Sequence, residues 1–164
     1  GKIFINNKES LNTALDWRNM VAYLPQDDLI LDQDIKTNIS LETKKSDQNL
    51  KKIKDAIKKA NLEKFVDSLP QGTATKIGKN GIRLSGGQNK RIALARAFYH
   101  DRNVLVMDEA TSSLDEKTEE SIVEQINLLK KDRTIIIITH KANTLKYCDR
   151  IYKIIDKKIV EEKK

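Results

Sequence analysis

The sequence is poor in the residues that many functions require. Its single cysteine, Cys148, excludes an intramolecular disulfide and a multi-cysteine metal site, and points to a reducing compartment. Aromatic residues make up 5% of the chain, too few for base stacking to be its main purpose. No apolar run approaches the roughly 18–20 residues that cross a bilayer. The runs present, such as residues 135–138, are the size of a strand. The first residues lack a basic, then apolar, then small-residue pattern, so no signal peptide is expected. There is no low-complexity linker and no internal repeat. What remains is 164 residues, 38% hydrophobic and 34% charged, enough for one domain with a core.

The formal net charge is +7. A nucleic-acid surface would cluster arginines with aromatic residues, and an anionic membrane surface would gather lysines beside a span. The lysines here are scattered (Lys44, Lys45, Lys51, Lys52, Lys58, Lys59, Lys130, Lys131, Lys157, Lys158). Solvated helix faces account for them best, and no nucleic-acid partner is expected.

Residues 1–6 read as a strand around Ile3, Phe4 and Ile5, and residues 21–24 as another, stopped by Pro25. Residues 34–40 form a short helical turn. Residues 50–61 have helical spacing, with Leu50, Ile53, Ile57 and Ala60 on one face. A second short helix over 62–69 ends at Pro70 and Gly72. Residues 88–99 form a helix with Ile92, Ala95, Ala97 and Phe98 inward.

Residues 104–107 and 135–138 are apolar throughout, the pattern of strands buried on both faces of a parallel sheet. Between them, residues 116–129 carry a stripe of Ile122, Val123, Ile126 and Leu129. A short helix over 141–147 follows, then a hairpin of 151–155 and 158–160 about Asp156 and Lys157. Strand and helix alternate as in βαβ units, so the class is α/β with a parallel sheet. Residues 34–99 interrupt the alternation as an inserted α-helical subdomain, between core segments 1–33 and 100–164.

Two segments carry chemistry. After Val104-Leu105-Val106-Met107 come Asp108 and Glu109, at the C-terminal strand edge where open α/β sheets bind ligands. One acid there can hold Mg²⁺, which takes one or two carboxylates plus phosphate oxygens and water. The other can activate a water against a phosphate. Two acids capping the next turn explain the pattern about as well. The second segment is Leu84-Ser85-Gly86-Gly87-Gln88, ahead of a helix. Serine and paired glycines at a helix start expose N–H groups and make an anion site. A plain N-cap at Ser85 is the alternative, but it leaves the glycine pair and Gln88 unexplained.

Together and in this order, these segments resemble the ATP-binding cassette (ABC) family along essentially the whole chain. Residues 84–88 resemble its signature sequence, and residues 104–115 (VLVMDEATSSLD) its Walker B strand, catalytic glutamate and D-loop. Tyr23-Leu24-Pro25-Gln26 resembles the Q-loop, and Ile138-Thr139-His140 the switch histidine. Residues 75–81 resemble the loop ahead of the signature in exporter-type members, but Lys79 and Asn80 stand where an acidic–basic pair is usual. Trp17-Arg18 also favours exporters, including bacterial exporters and lipid-linked saccharide flippases.

The resemblance implies a partial P-loop NTPase-like core, with ATP and Mg²⁺ as cofactors. It assigns Asp108 to Mg²⁺, Glu109 to general base, and Gln26 to the metal, the attacking water and sensing of the transmembrane partner. His140 would contact the γ-phosphate. Ser85, Gly86, Gly87 and Gln88, with Asp115 across a dimer interface, would face the nucleotide of a second such domain, head to tail. A transmembrane domain is the other implied partner, and the place is the cytoplasmic face of a bacterial inner membrane. A soluble ABC ATPase acting on the ribosome or DNA is the runner-up, and a non-catalytic pseudo-domain the third reading. Glu109 and His140 speak against the third. The short interval between Gln26 and Ser85, too small for a long coiled coil, speaks against DNA-repair members.

One motif is missing from these residues. A P-loop needs G-x-x-x-x-G-K-[ST]. Gly1-Lys2 precedes Ile3, and Gly78-Lys79 precedes Asn80 with Thr73 upstream. The expectation is a domain segment that follows its own P-loop. Weak or no ATPase activity is then expected of these residues alone.

Overall fold

Residues 4–5, 8–9, 17, 19–44 and 49–162 are described in a computed structural model of the chain. Of the first expected strand, only Phe4–Ile5 (β1) lies among them, pairing antiparallel with Lys8–Glu9 (β2). Residues 1–3 and 6, and Arg18, lie outside the described residues.

Three strands form the parallel sheet: Val21–Leu24 (β3), Val104–Asp108 (β4) and Thr134–Ile138 (β5), in that order. The register aligns Leu24 with Met107 and Met107 with Ile137, so all three strands end at one edge. Parallel neighbours need long crossovers. Glu116–Leu129 (α5) carries the chain from β4 to β5. The crossover from β3 to β4 is the expected helical segment. It contains Ile35–Ser40 (α1), Leu50–Lys59 (α2), Glu63–Asp67 (α3), a 3₁₀ turn at Gly72–Ala74, and Gly86–His100 (α4).

One apolar cluster joins this segment to the sheet: Ile35, Ile39, Ile53, Ile57, Leu62, Ile92 and Leu94 pack in the same core as Leu24, Leu105, Met107 and Ile122. Leu50 departs from its expected face. It sits at the first position of α2 and is exposed, while Ala56 takes the buried place. The last elements are a short helix, Ala142–Leu145 (α6), and the expected hairpin, Ile151–Ile155 (β6) with Lys158–Glu162 (β7).

The expectation that β5 is buried on both faces is corrected. Ile135 and Ile137 are half-buried, whereas Ile136 and Ile138 are exposed on the opposite face, which also carries exposed Tyr23 two strands away on β3. The sheet's second face is therefore open to solvent among the described residues. An all-apolar strand records a composition suited to two covered faces, but burial follows what packs on them. In the hairpin the cross-strand pair Ile154 and Ile159 is 80% and 74% exposed. Exposed aliphatic patches and open strands promote association. Light scattering on the 164-residue chain alone should report species heavier than a monomer. Ile154→Lys with Ile159→Lys should shift it toward the monomer, and unchanged mass would refute that account.

Candidate functional site

The shared edge of the sheet gathers the acid and histidine residues. β4 ends at Asp108, and the next residue, Glu109, takes a left-handed backbone at φ 48°. For a non-glycine residue that conformation costs about 1–3 kcal/mol and persists only where surroundings enforce it. Here the Glu109 N–H donates to the Ile138 carbonyl at 2.9 Å, and the Glu109 carbonyl accepts from the Ser112 N–H at 3.0 Å. The kink turns the half-buried carboxylate toward the end of β5, where His140 Nε2 lies 3.5 Å from Glu109 Oε1. Asp108 Oδ2 accepts from the Tyr23 hydroxyl at 3.3 Å across β3 and β4.

Gln26 leaves β3 at the same edge. Its side chain is exposed, and among the described residues no hydrogen bond joins it to Asp108 or Glu109. Its backbone carbonyl, however, accepts from Lys90 on α4.

The helix after the signature-like segment starts two residues earlier than expected. α4 begins at Gly86, so both glycines lie in its first turn. Ser85 is the N-cap: its hydroxyl accepts from the Gln88 N–H at 3.3 Å, and Gln88 Oε1 accepts from the Ser85 N–H at 2.8 Å. This reciprocal capping box accounts for both polar residues. Gln88, which a plain N-cap leaves unexplained, is thus accounted for by the cap it closes. Capping still does not require the glycines. A Cβ on Gly87 would stand 3.3 Å from the Ser113 carbonyl and 3.7 Å from a Leu114 methyl, so lack of a side chain lets residues 113–114 lie against the first turn.

Asp115 follows directly and caps α5, accepting from the Thr118 N–H at 3.0 Å. Those Thr118 hydrogen bonds hold its carboxyl below the usual range. Ser85, Gly86 and Gly87 thus form one surface with residues 113–115. Residues 109–112 connect it to the Asp108–Glu109–His140 edge.

Sequence reasoning missed two cations, Lys141 and Lys90, and the carboxylate that pairs with the first, Glu119. Lys141 Nζ reaches Glu119 Oε2 at 2.7 Å and the carbonyls of Thr111 and Leu114 at 2.9 and 3.4 Å. Buried Glu119 also accepts from Thr144 Oγ1 at 3.1 Å. The signal was present: Glu119 precedes Ile122, Val123 and Ile126 on the apolar stripe of α5, where a carboxylate must find a partner. Lys90 stands likewise on the buried side of α4, four residues before Leu94.

As a test of fit, Asp108 is a half-buried carboxylate that, among the described residues, accepts one hydrogen bond, at 3.3 Å from Tyr23, leaving oxygen lone pairs for Mg²⁺ beside a phosphate. A complete phosphate cradle is not encoded in these residues.

The ABC transporter family profile matches residues 1–112. A Staphylococcus aureus protein named for multidrug export, an ATP-binding/permease protein, is 37% identical over 98% of this chain. The similarly named YgaD of Bacillus subtilis is 38% identical over 90% of it. Among solved structures, a bacterial Atm1-family ABC exporter with ATP bound superposes at a TM-score of 0.84, with 31% identity over 93% of this chain. The chain spans 25–28% of these relatives' lengths. The chain belongs to the ABC transporter family.

Proposed function

We propose that this chain is the portion of an exporter-type ABC ATP-binding domain that carries the hydrolytic residues and the surface presented to a partner's nucleotide. The observation that carries the reading is the meeting of Glu109 and His140 at the edge shared by Asp108. When bound there, Mg²⁺ would neutralise developing phosphate charge. Asp108 would hold it, and Glu109 would take the proton from an attacking water. His140, 91% exposed, is free to contact the phosphate and Glu109 together. Gln26 would complete the set once drawn inward.

Ser85, Gly86, Gly87 and Asp115 would meet the ATP held by a second domain, arranged head to tail. Gln88 would act through the cap it closes. The divisions 1–33, 34–99 and 100–164 correspond to core, helical and core portions. The helical portion and the Gln26 segment would face a transmembrane partner on the cytoplasmic side of the membrane. No described helix is long and apolar enough to cross a membrane. Kinship with proteins named as exporters supports this reading over a soluble ATPase on the ribosome or DNA.

The test compares ATP turnover by the full-length protein with turnover by these 164 residues. Turnover is expected of the full-length protein, stimulated by its cargo, and none above background of the chain alone. Robust Glu109-dependent turnover by the chain alone would sink the division of labour proposed here.

A further inference from the structure

The segment after β3 is held by cations from the helix that presents Ser85, Gly86 and Gly87. Lys90 lies one turn beyond those residues on α4, with its side chain 5% exposed. Its ammonium donates to the Pro25 carbonyl at 3.2 Å and to the Gln26 carbonyl, and lies 3.5 Å from Asp28 Oδ1. Further along α4, Arg96 donates to the Leu29 carbonyl and to the Asn38 carbonyl, each at 2.9 Å. One helix thus takes three carbonyls and one carboxylate within residues 25–29.

A buried ammonium is retained only when paired and hydrogen-bonded, because an unpaired one is costly. A methionine would fill the same space without that requirement. The placement therefore has a purpose other than packing. Asp28 Oδ1 lies 3.5 Å from the ammonium, whereas the carbonyls of Pro25, at 3.2 Å, and of Gln26 are nearer and accept from it directly.

Building on the function proposed above, we propose that Lys90 is a positioning residue. It fixes the Gln26 backbone to α4, so that engagement of Ser85–Gly87 by a partner's nucleotide determines where Gln26 stands in its own site. α4 is a continuous helix from Gly86 to His100, so a shift of its first turn carries Lys90 with it. The carbonyl grip transfers that shift to Gln26, whose side chain is otherwise exposed. One continuous helix therefore touches both sites, which gives a physical route by which occupancy of one can bias the other.

The test uses the full-length protein in lipid, measuring ATP turnover, its KM and the thermal midpoint together. Lys90→Met alone leaves Asp28 without its ion-pair partner and with only the charge of Arg96 to oppose its burial, so the decisive variant is Lys90→Met with Asp28→Asn, which removes both members of the pair. It is expected to keep the wild-type thermal midpoint and KM while kcat falls about 10- to 100-fold, since a misplacement of about 1 Å of a reacting group costs up to ~10²-fold. Lys90→Gln with Asp28→Asn, which keeps an N–H donor for the carbonyls, is expected to recover most of kcat. Wild-type kcat in the Lys90→Met, Asp28→Asn variant overturns the proposal, as does a kcat that merely follows the thermal midpoint across the series, or no recovery with Lys90→Gln, Asp28→Asn. Absence of turnover in the wild-type protein would overturn the hydrolytic reading itself, and this one with it.

Discussion

Glu109→Gln is expected to lower kcat of the full-length protein by about 10²- to 10⁴-fold, the range for losing a positioned general base, while leaving ATP binding and the thermal midpoint unchanged. The amide matches the carboxylate in size and keeps one acceptor oxygen, but it cannot take a proton from water. Nothing in the fold demands the charge. The contacts that enforce the left-handed turn at Glu109 are backbone ones, from the Glu109 N–H to Ile138 and from Ser112 to the Glu109 carbonyl. Glutamine tolerates φ 48° no worse than glutamate. The strain is therefore the same in both proteins, and a loss of turnover reports chemistry. His140→Ala should also slow turnover, because the imidazole 3.5 Å from Glu109 Oε1 is mostly exposed and makes little contribution to packing. Near-wild-type kcat in Glu109→Gln, with metal-dependent turnover intact, would remove Glu109 from the role of base.

That this residue stands out in the sequence follows from strand physics. Val104 to Met107 are apolar because the strand is mostly buried, so the first carboxylates after them mark its edge. The same reasoning recovered Val21–Leu24, α5 and the closing hairpin. What could not be read was anything decided by packing between distant segments. The φ of Glu109 depends on a hydrogen bond to Ile138, 29 positions away in the chain. The need for glycine at 87 depends on a carbonyl at 113. The open face bearing Tyr23, Ile136 and Ile138 contradicts the composition of its own strand, because an apolar sequence states a tolerance for burial and not the presence of a cover. Ser85 and Gln88 illustrate the converse: a local rule, the capping box, explains why both polar residues stand at the start of α4.

Lys90, Glu119 and Lys141 were legible in part. Each polar residue falls on or beside an apolar helical stripe or motif, but the partner that makes it tolerable could not be named. For Glu119 and Lys141 the structure names it, and the consequence is large.

Lys141→Met should destabilise the fold by about 3 kcal/mol, the lower end of the range for removing one member of a buried ion pair. Glu119, whose side chain is 6% exposed, would keep only the hydroxyls of Thr144 and Thr111, the latter at 3.5 Å, while the carbonyls of Thr111 and Leu114 would lose their shared donor. Lys141 itself is 33% exposed, so water can replace part of the loss, which places the effect at the low end. The measurement is the urea midpoint in the Ile154→Lys, Ile159→Lys background, where self-association is suppressed. Adding Glu119→Met removes the stranded carboxylate, so the double substitution should cost clearly less than the two single changes summed. Strict additivity would mean that Lys141 acts through its carbonyl contacts alone. The expected non-additivity would mean that the ion pair fastens the residues after His140 to those that end at Asp115. The hydrolytic edge and the surface offered to a partner would then be held in register by a buried charge on the apolar stripe of α5.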